Sequence, residues 1–478
     1  MNFKVVFKIV GRVLTMEGIV MLLPMLVAIY YGEDVWPFII ASTVVTIAGM
    51  NLACINASKD FYIREGFFTV ALIWIATGVI GALPFYYSDL FPSFVDCLFE
   101  SCSGFTTTGA TILTDIEALP KGLLFWRSFT HWLGGMGVLV LATALIPTIG
   151  IRTKYLTQAE SPGPVFSKLV PKQAQTSKIL YGIYCALTLL EAICLKLAGM
   201  PWYDSFIHAF GTAGTGGFSN MNASVGAYNS MTIDMIISVF ILLFSVNFAI
   251  HFLLLTRRFK DVIQSDELKF FLVVVVAATA LICVDIRHLY PDWIQTFRFA
   301  FFHVCSIIST TGFSTTDWLF WPYFAQMVLI ILMFCGACAG STGGGMKCSR
   351  ILIMFRVIRR EIHSIIHPRS VEVVKLDGKV VEEKTVRSIL TFIGCYIMII
   401  LVVTLVVTLD NLSFGESFSA ALTCVSNVGP GIDIVGPAGN FSSLSSLSKL
   451  VLSFTMIVGR LEIFPILLLF SPSAWHRS

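Results

Sequence analysis

The sequence predicts an all-α polytopic membrane protein of about ten transmembrane helices. Two N-terminal helices precede four span–re-entrant loop–span repeats arranged around one central axis. Three observations predict this. First, the 478 residues are 56% hydrophobic and only 13% charged, with a mean hydropathy of +0.83. Soluble domains carry about 25% charged residues, so these charges are too few to cover a water-facing surface. Second, apolar runs of bilayer-spanning length, roughly 20 residues, recur along the whole chain. Third, four Gly- and hydroxyl-rich tracts interrupt those runs at near-regular spacing.

The spans read as residues 9–31, 36–56, 66–88, 122–147, 178–198, 231–256, 268–287, 320–345, 388–409 and 447–470. No cleavable signal pattern is visible, so the first run is expected to stay as a membrane helix. With the N-terminus in the cytosol and each run crossing once, 25 of the 32 Lys and Arg fall inside and six outside. Arg460 alone lies deep within a span. This asymmetry matches the positive-inside rule and places both termini in the cytosol.

The four tracts are residues 103–111, 211–219, 306–314 and 423–431. Anchored on Gly109, Gly217, Gly312 and Gly429, they align without gaps at spacings of 108, 95 and 117 residues. Thirteen residues upstream stand Asp96, Asp204, Phe299 and Glu416; eleven upstream, Leu98, Phe206, Phe301 and Phe418. Two upstream stand Thr107, Thr215, Thr310 and Asn427. Such matching marks a fourfold internal repeat. The chain divides into N-terminal helices (1–60), repeat 1 (61–175), repeat 2 (176–265) and repeat 3 (266–349). A cytosolic insert (350–386) and repeat 4 (387–478) complete it. Within the insert, residues 350–366 read as a basic amphipathic helix and 371–383 as a hairpin turning at Asp377-Gly378.

Each tract follows an apolar stretch too short to cross a bilayer. Non-helical backbone at that depth must be buried in protein or line water. Four such loops around one axis can aim backbone carbonyls at it and replace the hydration shell of a monovalent cation. Neutral oxygens favour an alkali cation, because Ca²⁺ sites usually recruit carboxylates. The preceding short helices would point their partly negative C-terminal ends at the same axis. Asp96, Asp204 and Glu416 then fall near helix N-termini, either as caps or as an acidic outer mouth.

The tracts, together with RSFTHWLGGMG (127–137) and GSTGGGMKCSR (340–350), resemble the Trk, Ktr and HKT cation transporters. The similarity covers essentially the whole chain and is closest to the TrkH-type membrane subunit of bacterial Trk potassium uptake systems. It implies a K⁺ filter built from Thr107, Thr108 and Gly109; Thr215, Gly216 and Gly217; Thr310, Thr311 and Gly312; and Asn427, Val428 and Gly429. It further implies K⁺ as the transported ion, no organic cofactor, a homodimer in lipid, and a cytosolic TrkA-like nucleotide-binding regulatory ring. The location implied is the bacterial inner membrane. Family members that favour Na⁺ can carry serine at the first filter glycine; here that residue is Gly109, which favours K⁺. The fourth tract departs from the Thr-rich pattern at Asn427, Val428 and Pro430.

A gate is expected from Gly340, Ser341, Thr342, Gly343, Gly344 and Gly345, with Lys347 and Arg460. The glycine run is not a phosphate-binding loop. Met346 precedes Lys347, Cys348 stands where Ser or Thr is required, and the preceding run is an apolar helix. It reads either as simple helix termination or as a flexible loop under the filter, as in TrkH relatives. Arg460 is costly in lipid unless it meets water or a partner. It reads as the partner of a buried acid, as a charge facing the ion path, or as a pin for the 340–345 loop.

The remaining features exclude other classes. A net charge of +3 is too balanced for a nucleic-acid binder. Cys335 and Cys338 lie in an apolar segment without a second pair and read as packing. His208 and His303 share one repeat offset, nine upstream of the glycine, which suggests a common structural slot. No HExxH or Ser/His arrangement points to an intramembrane enzyme, and a scaffold would not need four matched tracts. The mechanistic alternative to uncoupled conduction is proton- or sodium-coupled K⁺ symport. The spans offer only Glu17, Glu191, Asp234, Asp285 and Glu462 for an ionisable relay.

Overall fold

The computed structural model describes residues 2–57, 63–137, 173–370 and 372–470. Its elements, in chain order, begin with α1 (Phe3–Val20), α2 (Leu22–Tyr31), α3 (Trp36–Ala53), α4 (Ile63–Gly81), α5 (Leu83–Tyr86), α6 (Phe94–Phe105) and α7 (Lys121–Gly135). Then follow α8 (Gln173–Leu197), α9 (Trp202–Gly214), α10 (Met231–Ser245), α11 (Phe248–Leu255), α12 (Phe259–Ile263), α13 (Asp266–Ile286), α14 (Trp293–Ile308) and α15 (Tyr323–Cys335). The segment between repeats 3 and 4 holds α16 (Cys348–Ile366) and the hairpin β1 (Lys375–Leu376) and β2 (Lys379–Val380). The chain ends with α17 (Glu383–Val407), α18 (Phe414–Ser426), α19 (Ser446–Arg460) and α20 (Phe464–Leu469).

Among the described residues, six helical segments are long and apolar enough to cross a membrane. The α10–α11 pair makes a seventh if counted as one span, bent by 96°. The other expected runs are represented by shorter or broken helices. The run at 231–256 breaks at Val246-Asn247, where Asn247 caps α11 through its side chain. The run at 320–345 is helical only to Cys335; Gly336 then takes φ +67°, a conformation that ends a helix. The run at 447–470 breaks between Arg460 and Phe464. The run at 122–147 is helical to Gly135, and residues 138–147 lie outside the described residues, as do the basic residues expected inside at 152, 154, 168 and 172. Hydropathy counts apolar residues and does not detect a backbone that must turn.

The helices are apolar on both their inner and outer sides. In α13, Phe271, Val275, Ile282 and Ile286 are buried, while Val276 and Val284 remain 68% and 73% exposed. A helix that is apolar all round, with half its surface outside the protein core, is suited to lipid. The polar groups concentrate at the centre. The four short helices α6, α9, α14 and α18 converge there, and nearly all their later residues are buried. The basic helix α16 and the hairpin at Asp377-Gly378 form as the sequence predicts.

Candidate functional site

The four tracts share one backbone conformation. Each short helix ends in a residue with left-handed φ, namely Thr107 (+55°), Thr215 (+55°), Thr310 (+64°) and Asn427 (+55°). Two residues later the glycine repeats that sign, at +83°, +77°, +83° and +101° for Gly109, Gly217, Gly312 and Gly429. The intervening amide closes back onto its own helix. Thr108 N donates to Ser103 O (2.9 Å), Gly216 N to Gly211 O (2.8 Å), Thr311 N to Ser306 O (2.8 Å) and Val428 N to Thr423 O (3.0 Å). This satisfies the last carbonyls of each helix.

The tracts meet in a closed ring. A Cβ built on Gly109 would stand 2.0 Å from Gly216 O, and one on Gly217 2.1 Å from Thr311 O. One on Gly312 would stand 2.1 Å from Val428 O, and one on Gly429 2.7 Å from Thr108 O. The contacts run 1 to 2 to 3 to 4 and back to 1, so the tracts surround a single axis. Only glycine leaves room for the neighbouring carbonyl. An open pocket abuts this ring and is lined by all four glycines.

Side chains depart from the expected picture. Thr310 Oγ1 accepts from Gly344 N (2.6 Å), and Thr215 Oγ1 donates to Gly214 O (2.6 Å). Asn427 Nδ2 donates to Thr108 Oγ1 (2.9 Å) and Met456 O (3.0 Å), bracing the fourth tract against the first. Most hydroxyls and amides of the tracts therefore serve the protein, leaving backbone carbonyls as the shared fourfold feature. The acidic-mouth reading is corrected, because none of the three acids lines the cavity. Asp96 pairs with Lys449 (2.7 Å), Asp204 accepts from Asn220 Nδ2 (2.8 Å), and Glu416 forms a capping box with Ser413. Each carboxylate is committed to holding its helix in place.

The 340–345 segment lies on the opposite side of the ring from the cavity. Gly344 N bonds Thr310 Oγ1 and Gly345 N bonds Ser426 O (2.9 Å), both at the ends of the short helices α14 and α18. Thr342 N and Gly340 O bond Phe244 O (3.4 Å) and Phe248 N (3.0 Å) around the α10–α11 bend. Lys347 donates through Nζ to Gly343 O. Arg460 donates from one nitrogen to Thr342 O (2.7 Å) and from another to Gly134 O and Gly135 O (2.6 Å each). It thereby joins the loop of repeat 3 to the end of α7 in repeat 1. Among the described residues, Arg460 meets backbone carbonyls. The nearby acid Glu462 pairs instead with Arg350 of α16.

Two residues of the site had no role in the sequence reading. Glu100 and Arg127 form an ion pair at 2.5 Å beside the ring, both are buried, and Arg127 contributes to the pocket over the ring. The signal available for Glu100 was its repeat offset, nine upstream of Gly109, the same as His208 and His303.

With this geometry established, comparison with known proteins becomes decisive. A family profile for TrkH, described as a cation transport protein, matches residues 37–477. This chain belongs to the TrkH family. The Trk system potassium uptake protein TrkH of Salmonella typhimurium is 37% identical over 488 residues, with both chains fully covered. TrkG of Escherichia coli K12, another Trk system potassium uptake protein, is 34% identical over 482 residues, covering 99% of each chain. The crystal structure of the potassium transporter TrkH from Vibrio parahaemolyticus matches with a TM-score of 0.89 at 34% identity, over the full length of both chains. The TrkH similarity thus spans the ring, the 340–345 loop and Arg460 alike.

Proposed function

We propose that this chain is the potassium-translocating membrane subunit of a K⁺ uptake system. The observation that carries the reading is the closed ring of Gly109, Gly217, Gly312 and Gly429, each against the carbonyl of the next tract. Such a ring offers a dehydrated alkali cation neutral oxygens from four sides. The relatives named potassium uptake proteins over the full length of this chain supply the identity of the ion.

In this reading ten spans and four re-entrant loops enclose one pore. Thr107 to Gly109, Thr215 to Gly217, Thr310 to Gly312 and Asn427 to Gly429 form the filter. The short helices α6, α9, α14 and α18 aim their C-terminal ends at it, and those partial negative charges stabilise a cation near the axis. Below it, residues 340–345 close the path, held by Arg460 and Lys347. Arg460 contributes a positive charge that repels K⁺ while the loop is in place. Opening requires the loop to leave Thr310, Ser426 and Arg460. A cytosolic nucleotide-binding ring drives that change through α16, and the protein works as a homodimer in the inner membrane with both termini cytosolic.

Uncoupled conduction is favoured over symport by the placement of the span acids. Asp234 pairs with Arg298 (2.7 Å), Asp285 accepts from Ala325 N (3.1 Å), and Glu462 pairs with Arg350. Glu17 and Glu191 are buried, and neither lines the cavity over the ring. Among the described residues, none of these five acids lines the pocket over the ring. The deciding experiment is cation flux in proteoliposomes, K⁺ against Na⁺, with and without the regulatory ring. K⁺ flux that exceeds Na⁺ flux and rises with the partner supports the proposal. Equal flux of both ions, or none under any condition, overturns it.

A further inference from the structure

We propose that ion discrimination in this chain depends on a set of braces behind the ring, built at one repeat position, with Glu100 and Arg127 as its principal positioning residues. The proposal rests on the filter reading above. Nine residues before the ring glycine stand Glu100, His208, His303 and Ala420. The first three face outward from their short helices and reach the strand that leaves the ring in the same repeat. Glu100 accepts from Thr111 Oγ1 (2.9 Å) and Ile112 N (3.1 Å). His208 Nε2 lies 3.0 Å from Ser219 Oγ, and its Nδ1 donates to Asp204 O (2.8 Å). His303 Nε2 lies 3.1 Å from Thr316 O. Ala420 has no polar atom for this, and the adjacent Ser419 substitutes by accepting from Ile432 N (3.0 Å).

Arg127 joins two of these braces. Its Nε bonds Glu100 at 2.5 Å, another nitrogen donates to Ser219 O (2.9 Å), and its guanidinium lies 3.5 Å from the Phe218 ring centroid. One buried charge pair therefore fixes the outgoing strands of tracts 1 and 2 to each other. Phe441 N, from repeat 4, adds a bond to Thr111 O (2.8 Å). Behind each tract a polar side chain, or two, prevents the strand from sliding along its helix.

In the snug-fit account of selectivity, carbonyl ligands discriminate K⁺ from the smaller Na⁺ by resisting closure onto it, and binding geometry is held to about 0.5 Å when a supporting shell locks it. The side chains of the tracts restrain the residues up to the ring glycine, and the segment that leaves the ring is held by the braces. The braces supply that shell, most firmly on tracts 1 and 2, where a buried charge-assisted bond is roughly twice as strong as a neutral one.

The test is the reversal potential under K⁺/Na⁺ gradients in full-length protein reconstituted in liposomes. The variants are Glu100→Gln, Thr111→Val, Ser219→Ala and, as a ring control, Gly109→Ser. Loss of one such bond is expected to lower the K⁺-over-Na⁺ permeability ratio about tenfold in the brace variants. A purely structural role would lower insertion and total flux while leaving the ratio of the remaining current unchanged. If Glu100→Gln does not insert, Thr111→Val and Ser219→Ala decide, since each removes only one hydroxyl or methyl-sized group. An unchanged ratio in the brace variants with a reduced ratio in Gly109→Ser overturns the braces and leaves the filter standing. An unchanged ratio in all variants overturns the filter reading and the braces with it.

Discussion

The guanidinium of Arg460 donates to the carbonyl of Thr342 at 2.7 Å, and so ties the last long helix of repeat 4 to the glycine-rich loop of repeat 3. The same side chain bonds Gly134 O and Gly135 O of repeat 1. A hydrogen bond from a charged donor contributes about 1.5–3 kcal/mol. Arg460→Ala removes three such bonds from the state in which the loop is docked. K⁺ flux without the regulatory ring is expected to rise at least about tenfold, the factor that corresponds to 1.4 kcal/mol. Stopped-flow flux in proteoliposomes measures it, and unchanged flux with normal insertion contradicts the pinning role.

Gly109→Ser places a side chain where the Gly216 carbonyl already lies, 2.0 Å from the new Cβ, at a φ of +83°. Either the carbonyl leaves the ring or the tract turns. Both remove an oxygen from the axis, so the K⁺-over-Na⁺ preference is expected to fall while the protein still inserts. Competition of Na⁺ against K⁺ uptake reads this out; an unaltered preference would place selectivity elsewhere.

Asp234 of α10 and Arg298 of α14 bond at 2.7 Å and join repeats 2 and 3. Removing one member of a buried pair costs about 3–5 kcal/mol, because the other is left uncompensated. Arg298→Leu should therefore lower the thermal stability of the detergent-solubilised protein markedly. The double substitution Arg298→Leu with Asp234→Leu should recover most of the loss. Equal melting temperatures for the wild type and the single variant would show the pair to be solvated and weak.

Uncoupled conduction makes a prediction about protons. At fixed K⁺ on both sides, the reversal potential is expected to stay constant as pH is varied on one side. A shift with pH would establish proton coupling and restore the symport mechanism.

Much of the site was legible in the sequence because its signals are local. The need for φ above zero selects Gly at one position per tract, while the other holds Asn once and Thr three times, an unusual conformation for a β-branched residue, and the pattern is alignable as a repeat. The basic helix α16 and the hairpin at Asp377-Gly378 were legible for the same reason. The exact breaks at Val246-Asn247, at Gly336 and between Arg460 and Phe464 were not, since a hydropathy average over roughly twenty residues does not resolve one or two polar or glycine positions. The sequence left the acids at 96, 204 and 416 as caps or as a mouth, because the two differ only in what the side chain meets in space.

By itself, then, the sequence determined a lipid environment, four equivalent tracts and the residue types at each position, all consequences of composition and local backbone chemistry. Only the tertiary structure decided which tract follows which around the axis, that Asn427 braces Thr108, and that Arg460 meets carbonyls while Arg350 takes Glu462. Those partners lie more than a hundred residues apart. Which distant polar groups pair is settled by how the helices pack, because inside a membrane each must find its partner within the protein.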